Sequence, residues 1–156
     1  MNRSEGQRLA ELSRSVREST LKRLLQVSVG MENWSPSPGA MTFADIAHHI
    51  GEADRWLFQK LEDPKLSKMA GKAGEAAQVT SEGFQKLVAD LRQRGDKRAR
   101  LLSTLTDSLL DSPMFDDRFG DVTAWWVIVR GNLDHETHHR GQLAVYLRII
   151  QNQPSR

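Results

Sequence analysis

Apolar side chains recur every three to four residues along four stretches of this chain, and none alternates convincingly as a strand. That period commits most of the backbone to helix. The first stretch runs from about Ser4 to Val29 through Leu9, Leu12, Val16, Leu21, Leu24, Leu25 and Val27, and closes at Gly30. A loop dense in Ser, Pro and Gly follows (NWSPSPGAM, residues 33 to 41). The second stretch opens at Thr42, whose T-x-x-D relation to Asp45 reads as a capping box, and carries Phe43, Ile46, Ile50, Ala53, Trp56 and Leu57 before Pro64. Residues 65 to 79 are small and polar and form a long connection. A third helix is predicted from Thr80 or Ser81 to about Leu110, with Phe84, Leu87, Leu91, Leu102, Leu105 and Leu109 on one side. After the loop DSPMFDDRFGD the fourth runs from about Val122 to Ile150. Four long amphipathic helices in 156 residues predict an all-α four-helix bundle, a single domain over residues 1–156.

Charge and composition exclude several classes. Lys plus Arg number 22 and Asp plus Glu 20, a net of 22 − 20 = +2, too small an excess to point to nucleic acid. There is no cysteine, so any metal site must use nitrogen and oxygen ligands, and no protein thiol serves as nucleophile. The opening MNRSEGQRLAELSR is polar, and no run of about twenty apolar residues occurs. The reading is a cytoplasmic protein with no membrane partner.

All five histidines fall in two clusters: His48 and His49 on the second helix, and His135, His138 and His139 on the fourth. At about 100° per residue, His49 lies at the edge of the face made by Ile46, Ile50 and Ala53, and His48 points away. On the fourth helix Trp125, Val129, Leu133, Leu143, Leu147 and Ile150 define the apolar face. His135 and His139 flank it one turn apart, so their imidazoles can converge on one cation, while His138 points outward. A histidine from the second helix completes a set of three nitrogen ligands, which suits Zn, Ni, Cu or Fe(II) and leaves a coordination position open. Metal–nitrogen distances of about 2.0–2.2 Å are expected.

Residues 135 to 139, HETHH, also satisfy the H-E-x-x-H signature of zinc proteases. Such enzymes take a third ligand downstream and pack the helix beside a substrate-binding sheet. The residues after His139 include no His, Asp or Glu, and no strand is evident. Glu136 falls on the core side of the wheel, which assigns it to a buried salt bridge or helix contact rather than to catalysis.

The run T-F-A-D-I-A-H-H-I-G-E-A-D-R-W on the second helix, followed by D-H-E-T-H-H-R-G-Q-L-A-V-Y-L-R on the fourth, resembles the DinB-like (damage-inducible B) superfamily, which includes the YfiT-like proteins. The resemblance spans about residues 5 to 150, and the H-x-x-x-H-R-G-Q element is its most specific part. It implies a bundle of unusual connectivity, a divalent metal, often Ni or Zn, held by three histidines, and a homodimer. The family's first histidine carries over to His49, directly before I-G-E-A-D-R-W, and its H-x-x-x-H pair to His135 and His139. That motif does not require Glu at its second position, which makes the protease signature accidental. Characterised relatives include bacillithiol-using thiol transferases and a mycothiol-dependent isomerase.

Such a site can bind a low-molecular-weight thiol as thiolate for attack on a small-molecule electrophile, or activate water for hydrolysis. It can also be a non-catalytic metal-binding and dimerisation module. Arg55 and Arg140 are candidates to hold an anionic group, and Gln142 lies near the His135 side of the wheel as a candidate support for a ligand. Trp56, Trp126 and Tyr146 read as core.

Overall fold

The computed structural model describes residues 2–152. Helix α1 spans Glu5–Leu24, and its N-terminus is closed by a reciprocal capping box between Ser4 and Gln7. It stops five residues before Val29. The β-branched pair Val27 and Val29 around Ser28 propagates helix poorly, and Gly30, at φ +93°, turns the chain while its N–H is held 2.8 Å from the Glu32 carboxylate. Helix α2 spans Phe43–Glu62 and opens with the expected Thr42–Asp45 capping box. It ends at an extended Asp63, as a residue before proline favours.

Helix α3 spans Ser81–Ser103, shorter than the single helix to Leu110 that the period predicts. Thr106 resets the register: its hydroxyl accepts the Leu109 N–H and caps a separate turn, α4, over Asp107–Leu110. The expected loop at 111 to 121 contains a small hairpin, β1 (Pro113–Asp116) against antiparallel β2 (Gly120–Thr123), with Pro113 opposite Thr123 and Asp116 opposite Gly120. Asp116 accepts the backbone N–H groups of Arg118 and Phe119 and so builds the turn. The expectation of no strand is therefore corrected. Four residues per strand are too few to show a period, and only Met114 and Asp116 of β1 face inward.

The last helix begins at α5 (Ala124–Trp126), passes through a π-helical stretch over Val127–Leu133, and continues as α6 (Asp134–Gln151). The Asp134 N–H reaches back five residues to the Val129 carbonyl. A π stretch carries more residues per turn than 3.6, so a wheel drawn from α6 loses phase before Leu133. Trp125, placed on the apolar face by that wheel, is instead exposed and donates to Glu5, while Val127 and Ile128 are buried.

Helix α1 packs on α3 and α6, and α2 packs on α3, α6 and the π stretch. Two apolar cores result. One gathers Leu21, Leu24, Phe43, Ile46, Ile50, Phe84, Leu91, Leu143 and Tyr146, and the other Leu9, Trp56, Leu57, Leu102, Met114, Ile128 and Leu133. No helix among the described residues is long and apolar enough to cross a membrane.

Candidate metal centre

Helices α2 and α6 bring His49, His135 and His139 to one point. The Nε2 atoms of His49 and His135 stand 2.8 Å apart, and those of His139 and His135 stand 3.1 Å apart. One ligand atom from each ring lies within 4.8 Å of both others. At a metal–nitrogen distance of about 2.1 Å, two ligands at right angles are about 3.0 Å apart and two at a tetrahedral angle about 3.4 Å. The two short separations match that scale. The donor set, three imidazoles without a thiolate, suits a borderline cation such as Zn or Ni.

The protonation states fit the same use. Burial, with the neighbouring His139 and His49 rings, pushes His135 down to about 3. Burial likewise pushes His139 down to about 4, and lowers His49. All three rings are neutral at pH 7, so each offers a lone pair. Gln142 selects which nitrogen of His139 offers it: the Gln142 amide oxygen accepts only, at 2.6 Å from Nδ1, so Nδ1 carries the proton and Nε2 faces the cluster. Gln142 thus supports His139, one turn from the His135 side that the wheel favoured. The Nδ1 atoms of His49 and His135 are buried without a hydrogen-bond partner among the described residues.

Glu136 points the opposite way, into a buried ion cluster. It accepts from Arg17 Nε and Nη2 at 3.0 and 2.9 Å, from Thr20 Oγ1 at 2.7 Å and from Arg98 Nη1 at 2.7 Å. Asp54 completes the balance, with Arg17 Nη2 at 2.6 Å and Arg98 Nη1 at 2.9 Å. Two guanidiniums and two carboxylates are thereby neutralised in pairs, and Asn132 and Ser13 fill further bonding positions around Arg98. The pairing lets the charges sit in the interior and locks the rotation of α6 against α1, α2 and α3. Gly95 makes room for it, since a Cβ there would stand 2.7 Å from Arg17 Cγ. Glu136 is held at both oxygens, which leaves it no part in activating a water. Sequence reasoning missed Arg17, Asp54 and Arg98. A signal existed: each sits in step with an apolar stripe, Arg98 seven residues after Leu91 and four before Leu102, Asp54 four after Ile50.

The remaining candidates fall outside the cluster. His138 is exposed, its ring edge-on to His139 at 5.0 Å between centroids. His48, expected in solvent, is half-buried. Arg55 is exposed beside Glu52, and Arg140 reaches Ser19 on α1. Trp56 and Tyr146 are buried in the two cores, and Trp126 is half-buried.

The connection between α2 and α3 covers His49. Lys60, itself buried, donates to the carbonyls of Pro64, Leu66 and Phe115, and Trp56 Nε1 donates to the Ser67 carbonyl at 2.9 Å. The Asp45 carboxylate takes the N–H groups of Gly74 and Ala76, each at 2.9 Å. Between these pins Gly71 lies directly on the imidazole: a Cβ there would come within 2.4 Å of His49 Nδ1.

Comparison with known proteins shows the family and the fold. The model of the DinB superfamily matches residues 13–143, which include all three histidines and the ion cluster from Ser13 to Glu136. The chain belongs to the DinB superfamily. A crystal structure of a DinB-like protein, YjoA from Bacillus subtilis, superposes with a TM-score of 0.68 at 21% identity, covering 96% of this chain and 95% of that one. At that identity the likeness establishes the fold. Among curated proteins no match was found. DinB membership and the three-histidine cluster together fit a metal-binding protein.

Proposed function

We propose that His49, His135 and His139 hold one divalent cation, zinc or nickel, through their Nε2 atoms, and that the site serves a low-molecular-weight thiol in transfer to a small electrophile. The observation that carries this is the convergence of three neutral imidazoles on one point. A cation held by three neutral ligands supplies Lewis acidity to a thiol or water at its open side. The chain's own residues do the rest. Gln142 keeps the proton on His139 Nδ1 and so keeps Nε2 free. The Arg17–Glu136–Arg98–Asp54 cluster fixes the face that α6 presents. Burial keeps the three rings unprotonated at neutral pH.

One observation favours a second reading, a non-catalytic metal-binding module: Gly71 seals His49 from that side, as a purely structural ion would allow. Metal analysis of the native protein followed by a screen of thiols against an alkylating electrophile separates the two. Transfer is expected to require the metal and to disappear with it. Metal removal that only lowers the melting temperature supports the structural reading, and metal-dependent hydrolysis without thiol turnover supports a hydrolase.

A further inference from the structure

We infer that Gly71 is a positioning residue for the metal centre: its backbone, carried by the connection between α2 and α3, presses on the His49 imidazole and sets where Nε2 points. The inference rests on the metal reading above and names what orients one of its ligands. That role is the same whether the bound ion is catalytic or structural.

A ligating imidazole is ordinarily oriented by a hydrogen bond to its other nitrogen. His139 has that arrangement with Gln142. His49 does not: its Nδ1 is buried without a hydrogen-bond partner among the described residues. Its ring is held by shape instead. The rings of His135 and His139 stand edge-on to it, with centroids 4.6 and 4.8 Å away, and the first meets its Nε2. Gly71 lies at the Nδ1 edge, so close that a Cβ there would overlap Nδ1, Cε1 and Cγ, the farthest of the three at 2.8 Å. Carbon atoms in contact rest at about 3.5–4.0 Å, so any residue but glycine displaces either the ring or the backbone. A ring pushed from its Nδ1 edge carries Nε2 off the common point.

The backbone is not free to give way, because the connection is latched on both sides of Gly71. Upstream, the buried Lys60 ammonium donates to the Pro64 and Leu66 carbonyls at 2.8 and 2.6 Å, and Trp56 Nε1 donates to the Ser67 carbonyl. Downstream, Asp45 takes the Gly74 and Ala76 N–H groups, and the Asn33 side chain binds Val79 through both its N–H and its carbonyl. Residues 68–73 form an arch between these latches, and lifting it breaks one of them. Asp45, His49, Trp56 and Lys60 recur at intervals of four, seven and four residues along one face of α2, so ligand and latches belong to one rigid element. The small residues of the connection, which carry no period, let backbone rather than side chain meet the ring.

The test measures zinc affinity of the full chain by competition with a chromophoric chelator, beside the melting temperature of the metal-free protein and the visible spectrum with cobalt(II). Gly71→Ala should bind zinc about 10–100-fold more weakly, as loss of a ligand's orienting partner does, and shift the cobalt band. Ala70→Ser, at the exposed neighbouring position, should match wild type in both. Inserting two glycines between Lys72 and Ala73 slackens the arch and leaves latches and ligands intact, at little cost to folding. That insertion should weaken zinc about two- to fivefold by freeing the ring. Adding Gly71→Ala to it should cause no further loss, because the slack arch carries the new methyl clear of the ring. A Gly71→Ala protein whose melting temperature falls while zinc affinity and the cobalt band stay at wild-type values overturns the inference and leaves the metal site standing. So does a Gly71→Ala loss that persists in full on the slack arch. Should Gly71→Ala not fold, the insertion alone decides, and unchanged zinc affinity there overturns the inference. Absence of stoichiometric zinc from wild type overturns both.

Discussion

Replacing Glu136 by Gln keeps the shape of the side chain and removes its charge at the centre of the ion cluster. Glu136 is 1% exposed and accepts from Arg17, Thr20 and Arg98. In the variant two buried guanidiniums face one carboxylate, Asp54, and the new amide NH₂ points donors at donors. Removing one partner of a buried pair costs about 3–5 kcal/mol. A second route gives a similar figure: the arginines hold the Glu136 carboxyl at about 2 instead of 4.5 against the opposing effect of burial, which corresponds to about 3 kcal/mol. The folded value is depressed, so this stabilisation is complete above pH 4.5 and is lost as pH falls toward about 2. For a chain of this size each kcal/mol moves the melting temperature by about 2–4 °C, so Glu136→Gln should melt about 6–20 °C lower at pH 7. Thermal denaturation of the metal-free proteins by circular dichroism measures this, and the gap should narrow below pH 4.5. A gap under about 2 °C at pH 7 refutes the account of the cluster. A peptidase activity lost in Glu136→Gln would restore the zinc-protease reading of HETHH.

Other expectations follow from the same geometry. His49→Ala, His135→Ala and His139→Ala should each lose the metal on dialysis, whereas His48→Ala and His138→Ala should keep it, as read by elemental analysis. Gln142→Leu should fold normally yet bind metal about 10–100-fold more weakly, because nothing then fixes the proton on His139 Nδ1; unchanged affinity in competition with a chelator would refute that role. Because His135 and His139 are depressed to about 3 and 4, the unfolded chain takes up protons between pH 6.5 and about 3 that the folded apo protein refuses. Apo stability should therefore fall as pH drops across that window, which thermal denaturation of the metal-free protein at a series of pH values measures. Leu25, Val29 and Val145 expose apolar surface, and we expect a homodimer; a monomeric mass in light scattering at micromolar concentration would overturn that.

The histidine geometry was legible because helical phase is a local property. Ile46, Ile50 and Ala53 place His49 rather than His48 at the cluster, and the four-residue spacing of His135 and His139 needs no tertiary information. Thr42 and Asp45 likewise announce their own capping box. The ion cluster was legible only in part: Glu136 falls on the core side of its wheel, but its partners Arg17, Asp54 and Arg98 come from three other helices, and a charge in step with an apolar stripe does not name its partner until the helices pack. The π stretch defeated the wheel at Trp125, since no residue in VIVRGNL announces an extra residue in the turn. Gly71 sits in a connection whose composition reads as featureless, and its place against His49 is set by the Trp56, Lys60 and Asp45 contacts that pin that segment.

The central claim is that one cation sits among three specific nitrogen atoms. Anomalous diffraction from crystals of the metal-loaded protein, collected at the metal's absorption edge, tests it most directly. The account predicts a single strong peak within about 2.0–2.2 Å of Nε2 of His49, His135 and His139. A peak bound by His48 or Glu136 in place of one of these, or no peak between α2 and α6, would contradict it.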